Sequence, residues 1–323
     1  MTKPDILVIY PTRANAMAKL EQSYTLHRLD EADDKPSFLA EHGPYCVGAV
    51  TNGHAALTRA DLEHLPKLEI VACSSAGFDT IDTEALRARG IAFTNTSDAL
   101  FDDVADTALM LTLAARRQLF AGHAHVVSGE WGRSGPYPLL SCIRGKRAGI
   151  LGLGQIGRAI GARFEPLGLE IGYCTRRPRD AAYRYFDNAM ALAEWADILV
   201  LAIPGGDDTI GLVGGPMLEA LGPQGTLINI ARGTIVDEPA LIAALVSGKL
   251  GSAGLDVFLN EPDPDPALTA LPNVTLYPHH ASGTVETREA MAQLVVDNLA
   301  AHFAGRPLLT PVYDLPARGL QTA

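Results

Sequence analysis

The sequence predicts an α/β protein of two doubly wound parallel-sheet domains, and three observations predict it. Short apolar strands alternate with helical segments along the first hundred residues, the pattern of a parallel sheet with crossover helices. A glycine triplet, Gly152-x-Gly154-x-x-Gly157, sits between an apolar strand and a helix. Farther on, Ile198-Leu-Val-Leu-Ala-Ile203 is a continuous apolar strand, as expected where helices cover both faces of a sheet. A length of 323 residues suits two domains that each bury a core of their own.

From the amino terminus, strands are expected over residues 6–10, 46–50, 70–73 and 91–94. Helices are expected between them, over 58–65 and 82–89 among others, the second opening on Asp82, an acidic residue suited to an N-terminus. One long helix is expected from about residue 98 to 128, with Val104, Ala108, Leu111 and Ala115 as its apolar positions. The Gly- and Pro-rich stretch 129–138 follows as a loop crossing between domains. The triplet then belongs to a unit of strand 148–151, helix to about 167 and strand 169–174. Strands 198–203, 226–231, 252–257 and 274–277 continue the second domain, and a helix from 285 to about 303 returns to the first. The expected division is a discontinuous domain, 1–98 plus 285–323, and a dinucleotide-binding domain, 99–284.

Composition narrows the partners. Hydrophobic residues make up 47% of the chain and charged residues 20%, the balance of a soluble globular protein. A formal net charge of −11 argues against nucleic acid or an anionic membrane as the main partner. No apolar run reaches the length of a membrane span, and the first residues read as a strand, not a signal peptide. Cys46, Cys73, Cys142 and Cys174 are scattered, so buried thiols in a reducing cytoplasm are expected, without disulfide or zinc. Asp102, Asp103 and Asp106 are read as capping a helix and complementing its dipole, and no metal is expected.

Each glycine of the triplet has a mechanical task. Gly152 permits a tight turn, Gly154 lets backbone approach a pyrophosphate, and Gly157 lets helix and strand pack closely. The pyrophosphate would then meet the N–H groups at the positive end of the helix. An NAD site usually places a carboxylate about twenty residues past the first glycine, to bind the ribose hydroxyls. Here the corresponding stretch is Thr175-Arg176-Arg177-Pro-Arg179, with no carboxylate before Asp180. Two arginines suit a 2′-phosphate, so NADPH is expected in preference to NADH.

Four stretches carry residue types suited to reducing a 2-keto acid. Arg232 lies just past a buried strand, where open α/β sheets bind ligands, and its planar fork matches a carboxylate. Asp256 and Glu261 follow the next strand, and the adjacent pair His279-His280 follows the last. Ketone reduction needs a proton at oxygen as hydride reaches carbon; a histidine serves near neutral pH, and a carboxylate can hold its ring. Ser74-Ser75-Ala76-Gly77-Phe78-Asp79 follows a strand of the first domain, where small residues expose backbone N–H groups to a substrate carboxylate.

With these stretches in view the chain resembles the D-isomer-specific 2-hydroxyacid dehydrogenases over essentially its whole length. The resemblance rests on Asn229-Ile-Ala-Arg-Gly233, on Gly254-Leu-Asp-Val-Phe258 leading to Glu261-Pro262, and on Pro278-His279 leading to Ser282, in that order behind the triplet. It implies that His279 is the acid/base, Glu261 orients it, Arg232 binds the keto acid, and the backbone of Ser75, Ala76 and Gly77 binds its carboxylate. It further implies that Asp256 holds the nicotinamide carboxamide. Val104, Gln155, Ile156, Thr175, Pro204, Thr209, Ile230, Ala231 and Ser282 would join the glycines and arginines around the dinucleotide. The family's fold is two Rossmann-like domains with the active site in the cleft between them, commonly as a homodimer. Trp131 then reads as a packing or dimer-interface residue.

Stretches 102–106, 283–288 and 307–311 look like the glyoxylate/hydroxypyruvate reductases and the related hydroxyphenylpyruvate reductases. The implied activity is NADPH-dependent reduction of small 2-keto acids to D-2-hydroxy acids, with no nucleic acid or membrane partner. Alternatives are an aromatic keto acid or 2-ketogluconate as substrate and, in another class, a dinucleotide-sensing corepressor-like protein. Those relatives carry extended tails, whereas the tail here, 317–323, is short.

Overall fold

The apolar runs fold into two separate, wholly parallel sheets in the computed structural model, which describes residues 2–314. The tail at 317–323 lies outside the described residues. The backbone forms two units, one of residues up to Leu100 with those from Gly283 onward, the other Phe101–Ser282.

In the first unit β1 (Asp5–Val8), β2 (Thr25–Arg28), β3 (Gly48–Thr51), β4 (Ile70–Cys73) and β5 (Ala92–Thr94) lie in the order β2-β1-β3-β4-β5. Alternate residues of each strand face opposite sides, and both sides are covered. Ile6, Val8, Val50, Ile70 and Ala72 pack with Leu20 of the helix Ala14–Ser23 and with Val295 and Leu299 of the helix Val285–Phe303. Leu7, Ala49, Val71 and Cys73 pack on the other side with Leu62 and Leu86. Each such fully buried Leu or Ile contributes about 1.5–3 kcal/mol. The returning helix starts where the apolar pattern starts, and the Thr284 side chain caps it by accepting the Thr287 N–H. Asn298, 1% exposed, ties down the chain beyond it: its Oδ1 accepts the Leu309 and Thr310 N–H groups at 2.9 and 3.2 Å.

In the second unit β6 (Arg147–Leu151), β7 (Glu170–Cys174), β8 (Arg184–Phe186), β9 (Ile198–Leu201), β10 (Thr226–Asn229), β11 (Ser252–Leu255) and β12 (Val274–Leu276) lie in the order β12-β11-β10-β9-β6-β7-β8. The chain enters at β6, builds outward through β7 and β8, then returns to β9 on the other side. The loop after β6 therefore sits at the switch point, where such sheets bind ligands. The α/β class and parallel sheets expected from the alternation are borne out.

Several local expectations are corrected. The helix expected over 98–128 is two, Ser97–Arg116 and Leu119–Val127, because Gln118 turns left-handed at φ 44° and breaks the hydrogen-bond ladder. The loop at 129–138 contains a short helix, Glu130–Ser134. Edge strands β2 and β8 went unexpected because Thr25-Leu-His-Arg28 and Arg184-Tyr-Phe186 lack an apolar run; pairing to β1 and β7 makes them strands. Asp102 and Asp106 do not cap their helix, which begins at Ser97; they bind Arg163, at 2.9 and 2.6 Å. Of the four free cysteines Cys142 is exposed, while burial pushes the Cys46 and Cys73 thiols up to about 12. Among the described residues no helix is long and apolar enough to cross a membrane.

Candidate active site

The triplet forms the turn its spacing suggests. Gly152 sits at φ 101°, and a Cβ there would lie 2.4 Å from the Ala202 carbonyl oxygen. A Cβ on Gly157 would lie 2.0 Å from the Gly152 oxygen, so strand turn and helix approach too closely for a side chain. Gly154 differs: a Cβ would meet no atom within 4 Å. Nothing in the described protein requires that glycine, and a ligand lying against the backbone would. Gly154 is also the N-cap of the helix Gln155–Phe164 and offers no side chain to its first N–H groups. An open cradle and an uncapped helix end fit a pyrophosphate, so the residues present suit a dinucleotide.

Gln155 and Ile156 open that helix. Thr175, Arg176 and Arg177 follow β7, both arginines exposed. Their turn is braced internally, with Thr175 Oγ1 donating to the Arg177 carbonyl at 2.7 Å and Tyr173 Oη accepting the Arg179 N–H at 2.9 Å. Pro204 and Thr209 follow β9, and Thr209 Oγ1 donates to the Gly206 carbonyl at 2.9 Å. Ile230 and Ala231 follow β10 and are buried, as is Val104 on the helix Ser97–Arg116.

Arg232 is half-buried, on a turn that Asn229 pins. The Asn229 amide donates to the Arg232 carbonyl at 2.9 Å and accepts the Ala231 N–H at 3.0 Å. This explains an asparagine at a strand's end better than any strand preference does.

Asp256 directly follows β11 and is 1% exposed. Its two oxygens accept the His280 and Ala281 N–H groups at 2.8 and 3.1 Å. Burial pushes its carboxyl above the usual range, against the pull of those two donors. Its own carbonyl accepts the His279 N–H at 2.7 Å. Asp256 thus shapes the turn that presents His279, whose φ of 48° costs a non-glycine residue about 1–2 kcal/mol.

His279 and Glu261 meet directly. Glu261 Oε2 lies 2.6 Å from His279 Nδ1, and Glu261 Oε1 accepts the Phe258 N–H at 2.9 Å. The His280 ring instead lies against Tyr277, with ring centroids 6.0 Å apart. A cavity of about 290 Å³ opens beside the pair, walled by Phe258, Pro262, Pro264, Leu276, Tyr277 and Pro278. Ser282 follows closely in the same loop. Arg232, Asp256, Glu261 and His279 all lie beyond the carboxyl ends of β10, β11 and β12, the sheet edge that also carries the triplet.

In the first unit the stretch at Ser75, Ala76 and Gly77 lies just beyond β4. All three carbonyls turn into the protein: Thr96 N–H donates to that of Ser75 at 3.0 Å, Asn95 Nδ2 to that of Ala76 at 3.2 Å, and Ser75 Oγ to that of Gly77 at 2.8 Å. Among the described residues no acceptor takes the Ala76 or Gly77 N–H. Asn95 and Thr96 were missed as supports of this turn; the polar pair closing an apolar strand was the available signal. Among the described residues no group of three His, Cys, Asp or Glu is placed to hold a metal.

Comparison with known proteins agrees with this geometry. Residues 109–281 match the family model for the D-isomer specific 2-hydroxyacid dehydrogenase NAD binding domain. The chain is 41% identical to 2-ketogluconate reductase of Gluconobacter oxydans over 312 residues, covering 96% of this chain and 99% of that one. It is 42% identical to hydroxyphenylpyruvate reductase of Plectranthus scutellarioides over 308 residues, 95% and 98% of the two chains. A crystal structure of the NADPH-dependent glyoxylate/hydroxypyruvate reductase of Sinorhizobium meliloti, with NADP and malonate, superposes with a TM-score of 0.88 at 40% identity, covering 98% of each chain. A triplet shaped for a dinucleotide, a carboxylate-held histidine and relatives of this length and similarity agree: the chain belongs to the D-isomer specific 2-hydroxyacid dehydrogenase family, an NAD(P)-dependent oxidoreductase of 2-keto acids.

Proposed function

We propose that the chain is a cytoplasmic reductase of small 2-keto acids, glyoxylate and hydroxypyruvate, that uses NADPH and makes D-2-hydroxy acids. The observation that carries the reading is the 2.6 Å bond from Glu261 to His279 Nδ1, which makes Nε2 the ring's proton-transfer atom. When bound, the reduced nicotinamide supplies the hydride that the carbonyl carbon takes up. His279 delivers the proton to the substrate oxygen, and Glu261 holds the imidazole in line. Arg232 pairs with the keto acid, and in the first unit the Ala76 and Gly77 N–H groups, with Ser75, are the candidate carboxylate binders.

Gly152, Gly154, Gln155, Ile156 and Gly157 would hold the pyrophosphate, and Asp256 the carboxamide. Arg176 and Arg177 would take the 2′-phosphate, on a turn whose first carboxylate is Asp180. The relative from Sinorhizobium meliloti, named as NADPH-dependent, supports that choice. Exposed Leu119, Phe120, Val126, Val127 and Trp131 are the second unit's candidate homodimer face, and a monomer by sedimentation at micromolar concentration would remove it.

A second reading, an aromatic 2-keto acid as substrate, is favoured by the apolar walls of the cavity beside His279 and by the hydroxyphenylpyruvate reductase relative. Initial rates of NADPH and NADH oxidation with glyoxylate, hydroxypyruvate, hydroxyphenylpyruvate and 2-ketogluconate decide between them. Highest kcat/KM with the two small acids and NADPH supports the main reading. Highest kcat/KM with the aromatic acid moves the substrate and keeps the chemistry, and turnover of none of the four contradicts both.

A further inference from the structure

We infer that Glu238 is a positioning residue for the Glu261–His279 pair, acting through the peptide that joins Phe258 to Leu259. The inference rests on reading that pair as the proton-transfer apparatus.

Glu238 opens the helix Glu238–Val246 directly behind its N-cap, Asp237. It is only 6% exposed, beside a core that includes Ile235, Val236 and Leu241. Burying a carboxylate carries a desolvation penalty that an apolar residue of the same volume would not incur. The helix N-terminus eases part of that penalty, and the rest calls for a specific job.

The job is visible in what the carboxylate touches. Glu238 Oε2 accepts the Leu259 N–H at 3.1 Å. Gly233, one residue past Arg232, presses on the same peptide: a Cβ there would lie 2.0 Å from both the carbon and the oxygen of the Phe258 carbonyl. The N–H of Phe258 donates to Glu261 Oε1, and Glu261 Oε2 reaches His279 Nδ1.

Leu259, Asn260 and Glu261 are themselves exposed, so the loop has little packing of its own to aim the carboxylate. A buried acceptor on one side and a close-packed glycine on the other fix the peptide from which Glu261 reaches out. The turn bearing Arg232 and the loop bearing Glu261 are thereby held in one register.

The test compares NADPH oxidation with glyoxylate by the full chain and by Glu238→Met, Glu238→Gln, Glu261→Gln and the double variant Glu238→Met with Glu261→Gln. Met fills the volume without an acceptor, and Gln restores one. Glu238→Met is expected to melt no lower than the parent, to bind NADPH within about twofold, and to lose kcat about tenfold. Glu238→Gln is expected to recover kcat to within about threefold of the parent. Because Glu238 acts through Glu261, the double variant should be within about twofold of Glu261→Gln alone.

Unchanged kcat in Glu238→Met beside a slow Glu261→Gln overturns the inference and leaves the reading of the pair standing. Losses that multiply in the double variant also overturn it, since they mean an independent structural role. A parental rate in Glu261→Gln overturns the reading of the pair and the inference together. Should Glu238→Met fail to fold, Glu238→Asp, which keeps the charge but is one methylene short, replaces it under the same criteria.

Discussion

The Glu261 carboxylate bridges two groups, accepting the Phe258 N–H on one oxygen at 2.9 Å and meeting His279 Nδ1 with the other at 2.6 Å. A carboxylate so placed fixes the orientation of the ring that delivers the proton. Glu261→Gln keeps the shape and loses the charge. Its kcat for glyoxylate is expected to fall about tenfold or more, with NADPH affinity unchanged. Equal losses in kcat and NADPH affinity would show that Glu261 serves the cofactor site and not the histidine.

The glycine triplet separates folding from binding. Gly154→Ala adds a methyl into open space at an ordinary φ of −80°, so it should melt like the parent while binding NADPH at least tenfold more weakly, about 1.4 kcal/mol. Gly157→Ala forces a methyl against the Gly152 oxygen and should lose about 1–3 kcal/mol of stability. Thermal melts and fluorescence titration on both variants check the contrast. A destabilised Gly154→Ala with parental affinity would contradict the assignment.

Arg176 and Arg177 project from a turn braced by Tyr173 and Thr175, so removing their side chains leaves the backbone held. Arg176→Ala with Arg177→Ala is expected to raise KM for NADPH about tenfold to a hundredfold, from one or two lost charge-assisted hydrogen bonds, and to leave KM for NADH within about threefold. Equal effects on both nucleotides would remove the phosphate-clamp reading.

Asp197 links stability to pH. Burial pushes its carboxyl up, but the Arg147 N–H at 2.9 Å, the Arg147 guanidinium at 3.2 Å and nearby Lys146 outweigh that and hold it below the usual range. A folded pKa below the unfolded one means that the unfolded chain binds more protons in the window between them. The stabilisation is therefore fully present above the unfolded value of about 3.9 and is lost as pH falls through the folded value. Asp197→Asn should cost about 1 kcal/mol by urea unfolding at pH 7, and that deficit should shrink in acid. A deficit constant with pH would mean that the charge is irrelevant and only shape matters.

What was legible in the sequence followed the strength of its patterns. Continuous apolar runs such as Ile198–Leu201 became central strands, and the stretch from 285 to 303 became a helix with those bounds, because burial and periodicity agreed there. The runs 198–203, 226–231 and 252–257 were each expected to end two residues too late. Ile203, Ala231 and Val257 belong to the loops that follow their strands, where an apolar residue lines a turn instead of a sheet. The break at Gln118 carried no proline or glycine to announce it, and the tertiary bond from Tyr137 Oη to Gln118 Oε1 at 2.8 Å lies nineteen positions away.

In the site, the sequence pointed to candidate reacting groups but not to their supports. His279, Glu261 and Arg232 were singled out by the motifs at the strand ends and by the family resemblance those motifs carry, and the structure brings Glu261 and His279 together. Asn95, Asn229 and Glu238 hold backbone groups, and a polar residue near a strand's end does not say which backbone group it holds. Asp256 illustrates the difference: its two oxygens engage the N–H groups of the turn that presents His279, a relationship visible only in three dimensions.

The most direct test of the account is the rate of NADPH oxidation with saturating glyoxylate by the parent and by His279→Gln, with NADPH binding measured on the same samples. The account predicts steady turnover by the parent and a loss of about 10²–10⁴-fold in the variant, with NADPH affinity within about twofold. A variant that turns over glyoxylate like the parent, or a loss explained entirely by weaker NADPH binding, would contradict His279 as the proton donor.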